Sequence, residues 1–144
     1  MKHVAVAVGL ILCATPVMAE AATAKRERFG TMPDGTAVDA VVLTGSNGVS
    51  ARIIALGATL QALNAPDRNG TVADVTLGYD DLASYVAKPN YWGQTIGRYA
   101  NRIANGRFVL DGKTHQLAQN DKTNALHGGA DGFDKRVWKI ERAD

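Results

Sequence analysis

The longest uncharged run in the chain is its first. Residues 4–14 are almost entirely apolar, follow the polar pair Lys2-His3 and end shortly before Pro16. Val17-Met18-Ala19 then offers the small residues that a signal peptidase accepts, so residues 1–19 are read as a secretory signal. The run is shorter than the ~20 apolar residues that cross a bilayer, and no later segment approaches that length. Residues 20–28 are small and charged and read as a flexible leader. Beyond them the pattern changes to short runs rich in Val, Ile, Leu and Thr at 37–44, 49–56, 59–65 and 72–77. Each is bounded by turn residues: Pro33-Asp34-Gly35, Gly45-Ser46-Asn47-Gly48 and Asp67-Arg68-Asn69-Gly70. Runs of that length between such turns predict hairpin-connected strands.

The clearest hairpin is predicted over 107–117, where Phe108-Val109-Leu110 leads into Asp111-Gly112. Asp-Gly adopts the positive φ angles of a two-residue turn whose twist matches paired antiparallel strands. One or two helical turns are predicted over 80–86, with Leu82, Tyr85 and Val86 on one face and Pro89 as the stop. Residues 136–142 read as a further strand with Trp138 and Ile140 on one face. An apolar strand in that position needs a cover, so the chain is expected to be part of a longer one. The pattern predicts an all-β protein with one short helix.

Composition removes several function classes. The lone cysteine, Cys13, falls inside the signal, and Leu12 before it is too large for a lipoprotein cleavage site. The mature chain of about 125 residues is therefore expected to hold together without disulfides. Lys and Arg number 16 against 14 Asp and Glu, too even a balance for a nucleic-acid or anionic-membrane surface. Gly112-Lys113-Thr114 lacks the upstream glycine of a phosphate loop, because position 107 is Arg107. His115 and His127 have no ligand-like spacing, so no zinc site is expected. Asn69-Gly70-Thr71 fits a glycosylation pattern but is explained more simply as a turn. Asp80 and Asp81 are adjacent and read as helix-start residues rather than the facing carboxylates of a glycoside hydrolase.

Two stretches are dense in polar groups: 95–108, and 124–138. A sugar presents hydroxyls that both donate and accept. Asn offers one group of each kind, Arg a rigid fork of five donors, and neutral His one donor and one acceptor. Asn101, Arg102 and His127 supply that set, and Gly128-Gly129 would allow close backbone approach to a ligand. By residue type alone, Arg102 reads more readily as half of a surface ion pair, and His127 as a satisfied loop histidine.

Gly97-Arg98-Tyr99-Ala100-Asn101-Arg102-Ile103, Asn124-Ala125-Leu126-His127-Gly128-Gly129 and Gly132-Phe133-Asp134-Lys135 together resemble the N-terminal half of the aldose 1-epimerases, or galactose mutarotases. Phe29 to Gly35, Leu56-Gly57-Ala58-Thr59 and Asp74 to Tyr79 fit as well, so the resemblance extends from about Phe29 to Trp138. It implies that 29–144 is the N-terminal part of an antiparallel β-sandwich. It implies interconversion of the α and β anomers of free hexoses such as galactose and glucose, with no cofactor and no metal. The implied partner is a small aldose; no nucleic acid and, after signal cleavage, no membrane is expected. Asn101, Arg102 and His127 would line the sugar pocket. The family's general acid, a second histidine, and its general base, a late glutamate, have no counterpart here, so no catalytic residue is assigned.

The reaction needs both groups. A base takes the proton of the anomeric hydroxyl while an acid protonates the ring oxygen; the ring opens, the carbonyl turns over and the ring closes. Each positioned proton-transfer group contributes about 10²–10⁴ in rate. These residues alone are therefore expected to be inactive, and the alternative from another class is a non-catalytic carbohydrate-binding or interaction fragment. Export to the periplasm or medium follows from the signal. N-terminal sequencing of exported protein should begin near Glu20; exported material that still begins at Met1 would refute the signal assignment.

Overall fold

A computed structural model describes residues 21–143; the signal assigned to 1–19 lies outside them. Five antiparallel strands follow one another in chain order: β1 (Thr23–Thr31), β2 (Ala37–Thr44), β3 (Ser50–Ile54), β4 (Thr59–Pro66) and β5 (Val72–Asp74). The turns form where short polar side chains capture nearby amides. Asp34 accepts from the Thr36 N–H at 2.8 Å, and Asp67 accepts from the N–H groups of Asn69 and Thr71 at 2.7 and 2.9 Å. Two smaller ladders follow. The strands β6 (Arg102–Ile103) and β9 (Ala125–Leu126) pair with each other, as do β7 (Arg107–Leu110) and β8 (Lys113–Gln116). Asp111 and Gly112 turn the second pair with φ angles of 49° and 72°, as the Asp-Gly dipeptide predicts.

Residues 23–28, expected in a flexible leader, are strand β1, paired from Thr23 opposite Thr44 to Arg28 opposite Asp39. Their charges alternate to meet charges on neighbouring strands. Arg26 and Arg28 share one face and both bind the Asp39 carboxylate, at 2.7–2.8 Å. Glu27 faces the other way and pairs with Arg52 of β3 at 3.0 Å. Opposite charges across strands stabilise pairing, which composition alone does not reveal. The register shifts between Arg28 and Gly30, and Phe29 packs against the core.

That core is formed by Val38, Ala40, Ile54, Ala55 and Leu56 with Leu82 and Tyr85 of the helix α1 (Leu82–Ala87). Asp81 caps the helix, accepting from the Ser84 N–H at 2.8 Å. Val86 is exposed and does not share the packed face of Leu82 and Tyr85. The run 72–77 shortens to β5 because the Asp74 side chain takes the Thr76 N–H and hydroxyl, closing a local turn.

Residues 136–142 do not form the expected strand. Leu56 and Val137 make an isolated bridge, the Trp138 N–H donates to the Ala55 carbonyl at 2.8 Å, and the Gly57 N–H donates to the Arg136 carbonyl at 2.8 Å. Ile140 packs on the core, whereas the Trp138 ring turns to Phe133. The same β3–β4 corner also accepts a Thr95 N–H at Gly57 and donates from Leu60 to the Gly93 carbonyl at 2.9 Å. It is the mount on which the polar loops sit.

Hydrogen bonds from Arg28, and then from Arg26, hold the Asp39 carboxyl below its ordinary value of 3.8. A lowered native value confers stability that is complete above the unfolded value and is lost as pH falls through the native one. Asp39→Asn should therefore lower stability near pH 7 by about 1 kcal/mol. The variant should also lose part of the acid destabilisation, because the parent's advantage falls away as pH drops below the ordinary value and through the lowered native one. Thermal melts of both chains near pH 7 and pH 3 test this: the gap should close at the acid end.

Candidate functional site

In the β6–β9 ladder Arg102 lies opposite Leu126 and Ile103 opposite Ala125, which places Asn101 opposite His127 one step further on. The His127 N–H donates to the Asn101 carbonyl at 3.0 Å, as an antiparallel pair requires. The return bond differs: the Asn101 N–H donates to the His127 ring at Nδ1, 3.1 Å away. The imidazole thus stands where the histidine's own carbonyl would otherwise accept. Both residues have left-handed backbone, with φ of 64° at Asn101 and 54° at His127. Asn tolerates that region; for His it costs about 1–2 kcal/mol, so the surrounding bonds must hold it. They include the Gly129 N–H to the Leu126 carbonyl at 2.9 Å, and an Asn120 amide that bonds both backbone groups of Leu126.

The Nδ1 contact decides the tautomer. An atom that accepts an N–H bond carries no proton, so the neutral ring keeps its proton on Nε2 and offers a donor there. Arg102 is fixed at two points: Nε donates to Asp121 at 2.6 Å, and Nη1 donates to the Asn101 side-chain oxygen at 3.2 Å. The ion-pair reading of Arg102 is thus met, and two of its five N–H groups are taken up by these bonds. Asn101 links the triad, reaching His127 through its backbone and Arg102 through its side chain.

Asn101 and Arg102 line a cavity of about 680 Å³, with Arg98, Tyr99, Phe108 and Phe133 among its other walls. That is within the range of small-molecule sites, about 300–1,000 Å³. His127 is not part of the lining; its neighbour Gly128 is. Gly128 has φ of 90°, and a Cβ there would collide with the Gly97 carbonyl oxygen. The glycine therefore serves the close approach of two chain segments, and it also lines the cavity, where the sequence suggested approach to a ligand. His115 lies in the hairpin, stacked on Phe108 with ring centroids 5.0 Å apart.

Sequence reasoning named Asn101, Arg102 and His127, and the structure brings all three together. It missed Asp121, which orients Arg102, and Tyr91, whose ring lies 4.7 Å from that of His127. Among the described residues no three His, Cys, Asp or Glu side chains converge in a way that could hold a metal ion. No helix among them is long and apolar enough to cross a membrane.

Gly128→Ala should destabilise the chain by about 2 kcal/mol or more, combining backbone strain with collision. Gly112→Ala, also at positive φ but facing open space, should cost only about 1 kcal/mol. Urea denaturation midpoints of the two variants measure the difference, and equal losses would remove the role given to the Gly97–Gly128 approach.

The sequence profile described as Aldose 1-epimerase matches residues 39–144. The galactose mutarotase of Bos taurus is 45% identical over 113 residues, which cover 78% of this chain and 33% of that protein. The aldose 1-epimerase of Escherichia coli K12 is 40% identical over 108 residues, covering 75% and 31%. Among solved structures, galactose 1-epimerase from Lactobacillus acidophilus superposes with a TM-score of 0.66 at 27% identity, covering 80% of this chain and 32% of that one. The aldose epimerase homologue from C. elegans gives 0.65 at 37% identity, covering 68% and 30%. The chain spans about a third of the length of the curated relatives it matches. Its mostly antiparallel β-structure matches the galactose mutarotase fold over that part, and the chain belongs to the aldose 1-epimerase family.

Proposed function

We propose that these residues form the sugar-holding wall of an exported aldose 1-epimerase acting on free hexoses such as galactose and glucose. The observation that carries this reading is the Asn101–His127 pairing. It leaves Nε2–H of His127 as the ring's donor and joins His127 through Asn101 to Arg102, and Asn101, Arg102 and His127's neighbour Gly128 line a cavity of hexose-accommodating size. A hexose would be held through its hydroxyls, and the same fixed donors would steady the charge that develops on oxygen as the ring opens.

The two proton transfers are assigned to groups outside this set. Among the described residues the glutamates are Glu27, paired with Arg52, and Glu141, paired with Lys139, and neither lines the cavity. A polypeptide of these 144 residues is therefore expected to give no anomer conversion above the buffer rate.

The test supplies the remainder of the enzyme by grafting these residues in place of the matching third of the Escherichia coli relative. Polarimetry with α-glucose should show turnover in the graft. Arg102→Ala and His127→Ala should each reduce it about 10–150-fold, the rate equivalent of about 1.5–3 kcal/mol for a hydrogen bond to a charged or buried group. Unchanged rates in both variants would refute the site. A graft that binds galactose without turnover would favour the non-catalytic carbohydrate-binding reading.

A further inference from the structure

We propose that Tyr91 and Lys135, the latter anchored by the buried Asp134, are positioning residues that hold the His127 imidazole with Nδ1 on the Asn101 amide. The proposal rests on the reading of His127 as a sugar ligand only for its consequence in binding; the geometry stands by itself. Tyr91 is in left-handed backbone, with φ of 60°, a conformation that disfavours a large aromatic residue. Its ring lies against that of His127, with centroids 4.7 Å apart and planes tilted by 54°. Residues held in such conformations persist where surrounding structure over-determines them. Here the Gln94 N–H donates to the Tyr91 carbonyl, and Gly93 is bonded to β4 so closely that a Cβ would strike the Leu60 carbonyl.

Lys135 also reaches the Tyr91 ring. Its Nζ is 5.7 Å from the Tyr91 ring centroid, within cation–π range. The same Nζ donates to Asp134 at 2.7 Å and to the Gly129 carbonyl at 3.4 Å. The Asp134 side chain is about 1% exposed, and its Oδ1 has no hydrogen-bond partner among the described residues. A buried carboxylate with one cationic partner holds that partner firmly, because separation would leave the charge uncompensated. The order of support is therefore Asp134, Lys135, Tyr91 and His127. The imidazole is held at Nδ1 by Asn101 and against its ring by Tyr91, so rotation about the Cα–Cβ bond of His127 would forfeit both contacts.

A merely structural cluster would affect folding stability without selecting a tautomer, and that difference defines the experiment. Imidazole ¹⁵N chemical shifts of His127 in the 144-residue chain report which nitrogen bears the proton, and a titration with galactose follows the same resonances. In the parent chain the neutral ring should be the Nε2–H form. Tyr91→Ala and Lys135→Met should each give a tautomer mixture and weaken the galactose response about threefold or more. Tyr91→Phe, which keeps the ring, should match the parent. Should Tyr91→Ala not fold, Tyr91→Leu, which keeps apolar bulk but not the ring, carries the same readout. A pure Nε2–H form with an unweakened galactose response in these variants overturns the positioning role, whatever the melting temperature does. Should galactose leave His127 unmoved in the parent chain and in the graft alike, the sugar reading fails by itself, while the tautomer measurement still decides the role of Tyr91 and Lys135.

Discussion

A histidine ring completing a backbone ladder is the contact on which the rest of the site depends. The pairing of β6 with β9 is only two residues long on each side, too short to be stable alone. Its extension through Asn101 and His127 adds one ordinary backbone bond and one bond to Nδ1. Because the side chain is itself a rung, the orientation of the imidazole is inherited from the backbone. Arg102 inherits its position similarly, being the first residue of β6 and tied back to the Asn101 side chain. The polar triad is thus one unit, and a shift in the register of two short strands would disperse it.

Short strands need an external frame, and the β3–β4 corner provides it. Ala55, Gly57 and Leu60 take backbone bonds from or give them to segments around Gly93, Thr95, Arg136 and Trp138. Gly57 has φ of 67°, and a Cβ there would press on the Asp134 carbonyl, so the corner and the 133–135 turn meet backbone to backbone. The five-stranded sheet, whose core lies between Val38, Ile54 and α1, therefore acts on the site through this corner. Packing in the sheet becomes precision in loops that have almost no apolar core of their own.

What was legible in the sequence follows the range of the forces involved. The strands β2, β3 and β4, the Asp-Gly hairpin and the cap at Asp81 are set by local turn chemistry, and all appear close to where the pattern puts them. Strand β1 was not legible because its residues are stabilised by Asp39 and Arg52 on other strands, which makes a charged stretch look like a tail. Residues 136–142 show the reverse: alternation suggests a strand, yet their backbone groups are divided among separate contacts with the β3–β4 corner. Asn101, Arg102 and His127 could be named from residue type and family resemblance. Tyr91, Asp121 and Lys135 could not, because each matters through a neighbour that only folding supplies.

The Nδ1 contact also sorts the chemistry that the proposed site can perform. A general acid in ring opening must give a proton to the ring oxygen and recover one on closure. A neutral imidazole that gave up its Nε2 proton would become an imidazolate, which is far too basic to form near neutrality. The cationic ring could donate, but it would need a proton on Nδ1, the atom that faces the Asn101 N–H. While the ladder contact stands, Nδ1 is taken up as its acceptor. The same contact leaves the neutral Nε2–H intact as a hydrogen-bond donor. Arg102, charged and without an acceptor, is likewise suited to hold oxygen atoms and unsuited to exchange protons with them. The proposed division of labour, in which this part of the family fold holds the sugar and other residues move the protons, thus follows from which nitrogen of one histidine closes a β-ladder.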